Sequence, residues 1–240
     1  KDGKIHIYDK DLKHTGYLNN KGEIGEDSYF KGISYCITGD SKQNIWIGTK
    51  GEGVYKLSPK NDKSYHIINY RKEEGNSNSL SDNNIYSIFE DKHNRIWIGT
   101  YGGGVNLIEE NDTSTLFINH KNKLKKYPIE TASQVRIISS DKFGNLFIGT
   151  TLGLVVFSAD FEDTAEINFQ SFHAQLRDFS LRANDIFDIC TTQRGETYIA
   201  TFGGGVSKVV ETDIQGYPLQ FKTYSTDDGL TSKVILSVLE

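Results

Sequence analysis

Two runs of three glycines, Gly102-Gly103-Gly104 and Gly203-Gly204-Gly205, are the stretches of this chain that most suggest a phosphate cradle. Such a cradle needs a helix N-terminus whose free N–H groups and dipole hold the anion. Both runs instead lie between strand formers: Ile96-Trp97-Ile98 precedes the first and Val105 follows it. The glycines therefore read as strand-to-strand turns. Carboxylates are numerous, among them Asp82, Glu90, Asp91, Asp141, Asp185 and Asp188. Glycoside hydrolysis requires two of them at a defined separation, and the sequence supplies no such pairing. Asp82, Asp91 and Asp141 stand among turn-forming residues and are expected to close turns. The six histidines lack metal-ligand spacing, and no Gly-x-Ser-x-Gly, His-Glu-x-x-His or Walker pattern occurs. Cys36 and Cys190 are too few for a zinc site or a disulfide framework and read as free, buried thiols on equivalent strands. No catalytic residue, metal or cofactor is expected, and the chain is not expected to be an enzyme by itself.

The glycine turns belong to a unit written four times. Its copies are Asn44-Ile45-Trp46-Ile47-Gly48-Thr49, Arg95-Ile96-Trp97-Ile98-Gly99-Thr100, Asn145-Leu146-Phe147-Ile148-Gly149-Thr150 and Thr197-Tyr198-Ile199-Ala200-Thr201. The aromatics Trp46, Trp97, Phe147 and Tyr198 are spaced by 51, 50 and 51 residues. A regular period of this length marks a repeat architecture. Within each unit, short β-rich segments alternate with polar turns, and no stretch sustains a helical period. Four strands in about 50 residues is the blade of a β-propeller, an all-β fold of antiparallel sheets.

The expected strands follow in order. A third strand runs from Gly3 and a fourth from about Thr15 to Leu18, before a loop at 19–27. The whole units then carry second strands at 45–49, 95–100, 145–150 and 197–201. Another first strand is expected from Val234 to Glu240, which stands 150 residues after Glu90. The chain thus reads as a partial propeller: residues 1–30 end one blade, 31–82, 83–132, 133–183 and 184–231 are blades, and 232–240 begin another. An open arc leaves apolar faces uncovered, so a larger, seven-bladed ring is the expected context. A five-bladed ring closed by a composite of residues 1–18 and 234–240 is disfavoured, because that blade has no second strand. The repeated aromatic is expected to wedge between blades, and the glycine two residues on to leave room for a neighbour.

Methionine is absent, so the chain is expected to be an excised or processed piece, and the net charge of −5 is mild. The lysines at 121, 123, 125 and 126 form a solvated loop face rather than a nucleic-acid surface. No apolar run approaches the roughly 18 residues of a membrane span.

Asn84-Ile85-Tyr86-Ser87-Ile88-Phe89-Glu90-Asp91, followed by Asn94 to Val105, resembles the two-component regulator propeller repeat, as do Ser81-Asp82-Asn83 and Asp228-Gly229-Leu230-Thr231-Ser232. The resemblance covers essentially the whole chain; Phe147 and Tyr198 in place of Trp, and Ala200 in place of Gly, depart from it. It implies the periplasmic propeller region of a hybrid two-component sensor from a gut anaerobe. Such a sensor carries a β-sandwich linker, a membrane helix, a histidine kinase, a receiver and a DNA-binding module. It further implies an oligosaccharide ligand, control of polysaccharide-utilisation genes, a homodimeric, membrane-anchored parent and no nucleic acid at this domain.

A ligand would be expected at the axial face formed by second-to-third-strand turns and blade-entry loops. The candidates there are Lys50, Tyr101 and Phe202 in the turns and Asn84, Arg136 and Arg182 near the entry loops. Two other readings remain: a propeller lyase or glycosidase, and a non-catalytic interaction scaffold. The stretch Ser139 to Phe147 approaches the Asp-box turn of sialidase propellers, but its Asp-to-Gly spacing is one residue too long.

Overall fold

The structure, a computed structural model, describes residues 4–26, 30, 32–61, 64–111 and 114–240. Gly3, where the first strand was expected to start, lies outside them. A three-stranded sheet comes first, in the order β1 (Ile5–Tyr8), β2 (His14–Leu18), β3 (Ile24–Gly25). The short β3 falls where a loop was expected, pairing Ile24 with Leu18.

Four antiparallel four-stranded sheets follow, each in chain order. The first holds β4 (Ser34–Gly39), β5 (Ile45–Thr49), β6 (Val54–Asn61) and β7 (Ser64–Tyr70). The second holds β8 (Ile85–Glu90), β9 (Ile96–Thr100), β10 (Gly104–Glu110) and β11 (Thr115–Ile118). A single helical turn, α1 (Ile129–Ala132), leads to β12 (Val135–Ser140), β13 (Asn145–Thr150), β14 (Gly153–Ser158) and β15 (Gln170–Phe172). The last sheet holds β16 (Ile186–Thr191), β17 (Thr197–Thr201), β18 (Gly205–Thr212) and β19 (Pro218–Tyr224). β15 is short, and a 3₁₀ turn at Thr164–Glu166 precedes it, capped by Asp163, whose side chain accepts the Ala165 N–H. The inner strands β4, β8, β12 and β16 pack side by side in that order.

The repeated aromatics explain how the sheets stack. Trp46, Trp97 and Phe147 are buried, each in a cluster with residues of the following sheet. Trp97 packs with Val135, Ile138 and Ile148, and its ring meets Phe157 edge-on at 5.1 Å. Tyr198 is only half-buried. Its hydroxyl donates to Glu196, which keeps the ring at the rim. The small residue two positions on has the expected purpose. A Cβ at Gly48 would lie 2.7 Å from Ile85, one at Gly99 2.5 Å from Val135 and one at Gly149 2.6 Å from Ile186. Each of those neighbours opens the next inner strand.

The carboxylates at the first-to-second-strand turns serve the scaffold. Asp91 accepts the backbone N–H groups of His93 and Arg95, the Arg95 Nε–H and the Trp97 indole N–H, the last at 2.8 Å. Asp40 repeats the arrangement with Lys42, Asn44 and Trp46. Asp141 does so with Phe143 and Asn145. Satisfying buried donors this way is what short polar side chains do in turns. Burial works against ionisation of Asp40, but the bonds from Asn44, Trp46 and Lys42 outweigh it and hold the carboxyl below its ordinary value.

The strand expected over 234–240 does not form. Val234 makes an isolated bridge with Phe202, and no further ladder follows among the described residues. The segment nevertheless occupies an inner-strand position. Val238 donates its N–H to Asp188 as Ile138 donates its own to Ser87, one inner strand to the one before it. Both cysteines are free, as expected, though half-buried rather than buried. Burial pushes the Cys36 thiol up to about 12.

Candidate ligand-binding mouth

One irregularity recurs at the start of every inner strand. Ser34 pairs with Thr49 while Cys36 pairs with Gly48, so Tyr35 is an extra residue on its strand. The same one-residue bulge falls at Tyr86, Arg136 and Phe187. A bulge bends the strand and re-aims a side chain. Here it gives each inner strand one large side chain directed to the axial end where the glycine turns lie.

The turns bring a second set of side chains to the same place. The first turn residue donates its N–H to a backbone carbonyl just ahead of the inner strand: Lys50 to Ile33, Tyr101 to Asn84, Thr151 to Gln134 and Phe202 to Asp185, at 2.8 to 3.2 Å. The glycines behind it tie the turn to the next sheet. Gly102 and Gly104 both donate to the Ser133 carbonyl, and Gly203 and Gly205 to that of Lys233. Positive φ at Gly104 and Gly205 shapes these turns, which a side chain would strain. The third turn differs: Thr151-Leu152 is a two-residue connection in which Leu152 donates to its own Thr150.

Together these residues form a ladder across four sheets. Tyr35 lies 4.4 Å from Tyr86, and Tyr86 stacks on Tyr101 at 4.7 Å. The Arg136 guanidinium lies 5.6 Å from the Tyr101 ring and 4.0 Å over Phe187. Phe187 in turn stacks on Phe202 at 5.7 Å. The inner rings cover one another, so ring faces are free at the two ends, Tyr35 (39% exposed) and Phe202 (51% exposed). Burial raises the Tyr86 phenol above its ordinary value, with Tyr35 adding to the effect, so at neutral pH it stays protonated and able to donate.

Charge in the mouth is partly paired. Arg136 donates Nε–H and Nη2–H to the two carboxylate oxygens of Asp185, at 2.7 and 3.2 Å, across the junction of the third and fourth sheets. Asp82, beside Gly102, accepts the Asn84 N–H and side-chain amide. Glu52 pairs with Arg71.

Of the residues expected from sequence, Tyr101, Arg136 and Phe202 stand in the ladder itself. Lys50 holds the equivalent turn position, and its charge reaches Tyr86. Asn84 contributes its carbonyl to the Tyr101 turn while its side chain is held by Asp82. Arg182 faces Asp178 at 3.4 Å on the entry loop and, among the described residues, has no ring or hydrogen-bond partner in the ladder. Sequence reasoning missed Tyr35, Tyr86, Phe187 and Asp185. A signal existed for the first three: with Arg136 they recur at steps of 51, 50 and 51 residues, as large side chains inside an apolar strand.

A groove of about 640 Å³ lies at the other end of the strands, lined by Phe143, Asp160, Phe161 and Tyr217 among others. Its Asp160 already holds Lys92 at 2.7 Å and His93 at 2.8 Å. The axial mouth, where a bulged inner strand of each of four sheets presents one large side chain, is the better candidate.

Residues 79–102, from the loop before β8 through β9 into its glycine turn, match the model of the two component regulator propeller family. The chain is similar over 98% of its length to the extracellular domain assigned to a hybrid two-component system of B. thetaiotaomicron, with 24% identity and a TM-score of 0.70. It is also similar to a catalytically inactive virginiamycin B lyase from Staphylococcus aureus with quinupristin, with 15% identity and a TM-score of 0.60 over 95% of this chain. A third likeness is to PorZ, a surface component of the type IX secretion system of Porphyromonas gingivalis, with 16% identity and a TM-score of 0.57 over 86% of this chain. At these identities the likeness carries the β-propeller fold. The chain spans 28%, 65% and 28% of those three proteins respectively. No curated protein sequence matches it.

Proposed function

We propose that this propeller is the extracytoplasmic, ligand-sensing part of a hybrid two-component sensor histidine kinase and response regulator. In this reading it binds an oligosaccharide at the axial mouth to control polysaccharide-utilisation genes. The observation that carries the reading is the ladder from Tyr35 to Phe202: flat rings with open faces at both ends and polar groups between them. Sugar rings present both apolar C–H faces and hydroxyls, and a site combining aromatic surfaces with a few fixed polar groups suits them. The regulator propeller repeat at 79–102 and the likeness to an extracellular domain of a hybrid two-component system support the sensor context.

The propeller's part is recognition. Sheets wedged by Trp46, Trp97 and Phe147 form a stiff platform, so switching lies at contacts between domains or between the two copies of a dimer. Signalling requires that the ligand bind one arrangement of that dimer more tightly than the other. The kinase, the membrane anchor and the periplasmic location of the propeller belong to the same proposal. Calorimetric titration of the full sensor chain with a panel of oligosaccharides, together with product analysis, tests it. Saturable binding without turnover is expected. Turnover would instead favour the lyase or glycosidase reading.

A further inference from the structure

Among the described residues the three acids named at the mouth are engaged, whereas Arg136 keeps one N–H group free and Lys50 is unpaired. Asp185 is held by Arg136, Asp82 by Asn84 and Glu52 by Arg71. Arg136 uses Nε and Nη2 for Asp185, which leaves its Nη1 without a hydrogen-bond partner among the described residues. Lys50 is exposed, and its ammonium group likewise has no hydrogen-bond or ion-pair partner among them. Lys50 sits in the turn bonded to Ile33, two residues before Tyr35, and Arg136 lies 5.6 Å from the Tyr101 ring, so the stacked Tyr35, Tyr86 and Tyr101 rings run between the two cations. The Arg136 fork is also held in place, between Phe187 on one side and Asp185 at its edge, so little side-chain freedom is lost when a ligand meets Nη1.

We infer that the axial mouth selects an acidic oligosaccharide, whose carboxylate or sulfate group sits between Lys50 Nζ and Arg136 Nη1 while its rings lie along Tyr35 and Tyr86. This rests on the mouth being the sensing site. A guanidinium N–H and an ammonium converging on one anionic group form charge-assisted hydrogen bonds, about twice as strong as neutral ones. A neutral sugar leaves both cations to water. Arg136 is the specificity-determining member of the bulge series, because the equivalent residues Tyr35, Tyr86 and Phe187 are all aromatic and carry no charge.

Calorimetric titration of the full sensor chain with three probes tests the inference: trigalacturonate, a sulfated galactose disaccharide and neutral maltotriose. One acidic probe or both are expected to bind at least about tenfold more tightly than maltotriose, roughly one charge-assisted hydrogen bond's worth of affinity. That advantage should shrink as salt is raised. Whichever of trigalacturonate and the sulfated disaccharide binds more tightly identifies the anionic group. Lys50→Gln, an exposed substitution that leaves the fold intact, should remove most of the preference, and Arg136→Gln should do the same. Maltotriose binding as tightly as the acidic probes, or Lys50→Gln leaving the preference unchanged, overturns the inference while the sensing mouth stands. No binding by any of the three overturns both.

Discussion

Gly99 is the position where a single methyl group tests how the sheets stack. Its backbone angles are ordinary for a strand, with φ outside the positive region, so Gly99→Ala meets no conformational barrier. Considered alone, the change should stabilise by roughly 0.5–1 kcal/mol, because glycine weakens a strand interior. The packing opposes this. The added Cβ would lie 2.5 Å from Val135 Cγ1 and 3.2 Å from Val135 Cβ, against about 3.5–4.0 Å for carbon atoms at rest. Val135 is fully buried among Trp97, Ile138 and Ile148 and has no space into which to retreat. Overpacking of this kind costs about 1–3 kcal/mol. The net expectation is a loss of about 0.5–2 kcal/mol, or a fall in Tm of roughly 1–8 °C for a chain of this size. Val135→Ala removes the 2.5 Å contact with Cγ1, so Gly99→Ala should cost less in that background, with a coupling of about 1 kcal/mol or more between neighbours. Thermal and urea denaturation of the four proteins supply the cycle. A Gly99→Ala variant as stable as the parent, or strictly additive effects, would refute the wedge-and-gap account of blade packing.

Three further outcomes follow from the same structure. Asp91→Asn should destabilise by about 1.5–3 kcal/mol in denaturant titration, because a buried carboxylate holding Trp97, Arg95 and two backbone N–H groups is replaced by an amide that turns donors toward donors. Asp40 has a folded-state pKa below its unfolded value, so its contribution is present above about pH 4 and is lost as pH falls through the lowered value; thermal midpoints of the parent should fall more steeply in acid than those of Asp40→Asn. With its thiol pushed up to about 12, Cys36 should resist iodoacetamide at pH 8 in the native protein and react once denatured, as read by mass spectrometry.

Much of the fold was legible because its main forces repeat. The motif around Trp46, Trp97 and Phe147 placed the second strands almost to the residue, since burial on both faces leaves an unbroken apolar run with a small residue where the next strand packs. The termini of the pattern were less legible. The segment from Val234 has a strand's composition and an inner strand's hydrogen bonds to Asp188, yet a ladder needs a second strand, and composition cannot report one. The short β3 escaped notice because two residues carry no periodicity.

At the mouth, Lys50, Tyr101 and Phe202 stood out as the varying residues in an otherwise fixed turn. Tyr35, Tyr86 and Phe187 did not, because a bulge shifts a strand's alternation by one residue and makes an axial ring read as a core residue. The Arg136–Asp185 pair joins residues 49 positions apart on two sheets, and only the packed structure brings them together. Arg182 was chosen for its charge near an entry loop, but a loop's path is set by local bonds, and here the side chain faces Asp178.

The claim that the axial ladder is where this propeller meets its ligand is tested most directly at the ladder's open ends. Tyr35→Ala and Phe202→Ala remove exposed rings, so both proteins should keep the parent's thermal midpoint. Calorimetric titration of the parent and the two variants, as full sensor chains, with the tightest-binding oligosaccharide of the panel gives the answer. The account predicts saturable binding by the parent, weakened about tenfold or more in at least one variant. Equal affinity in all three proteins would contradict it.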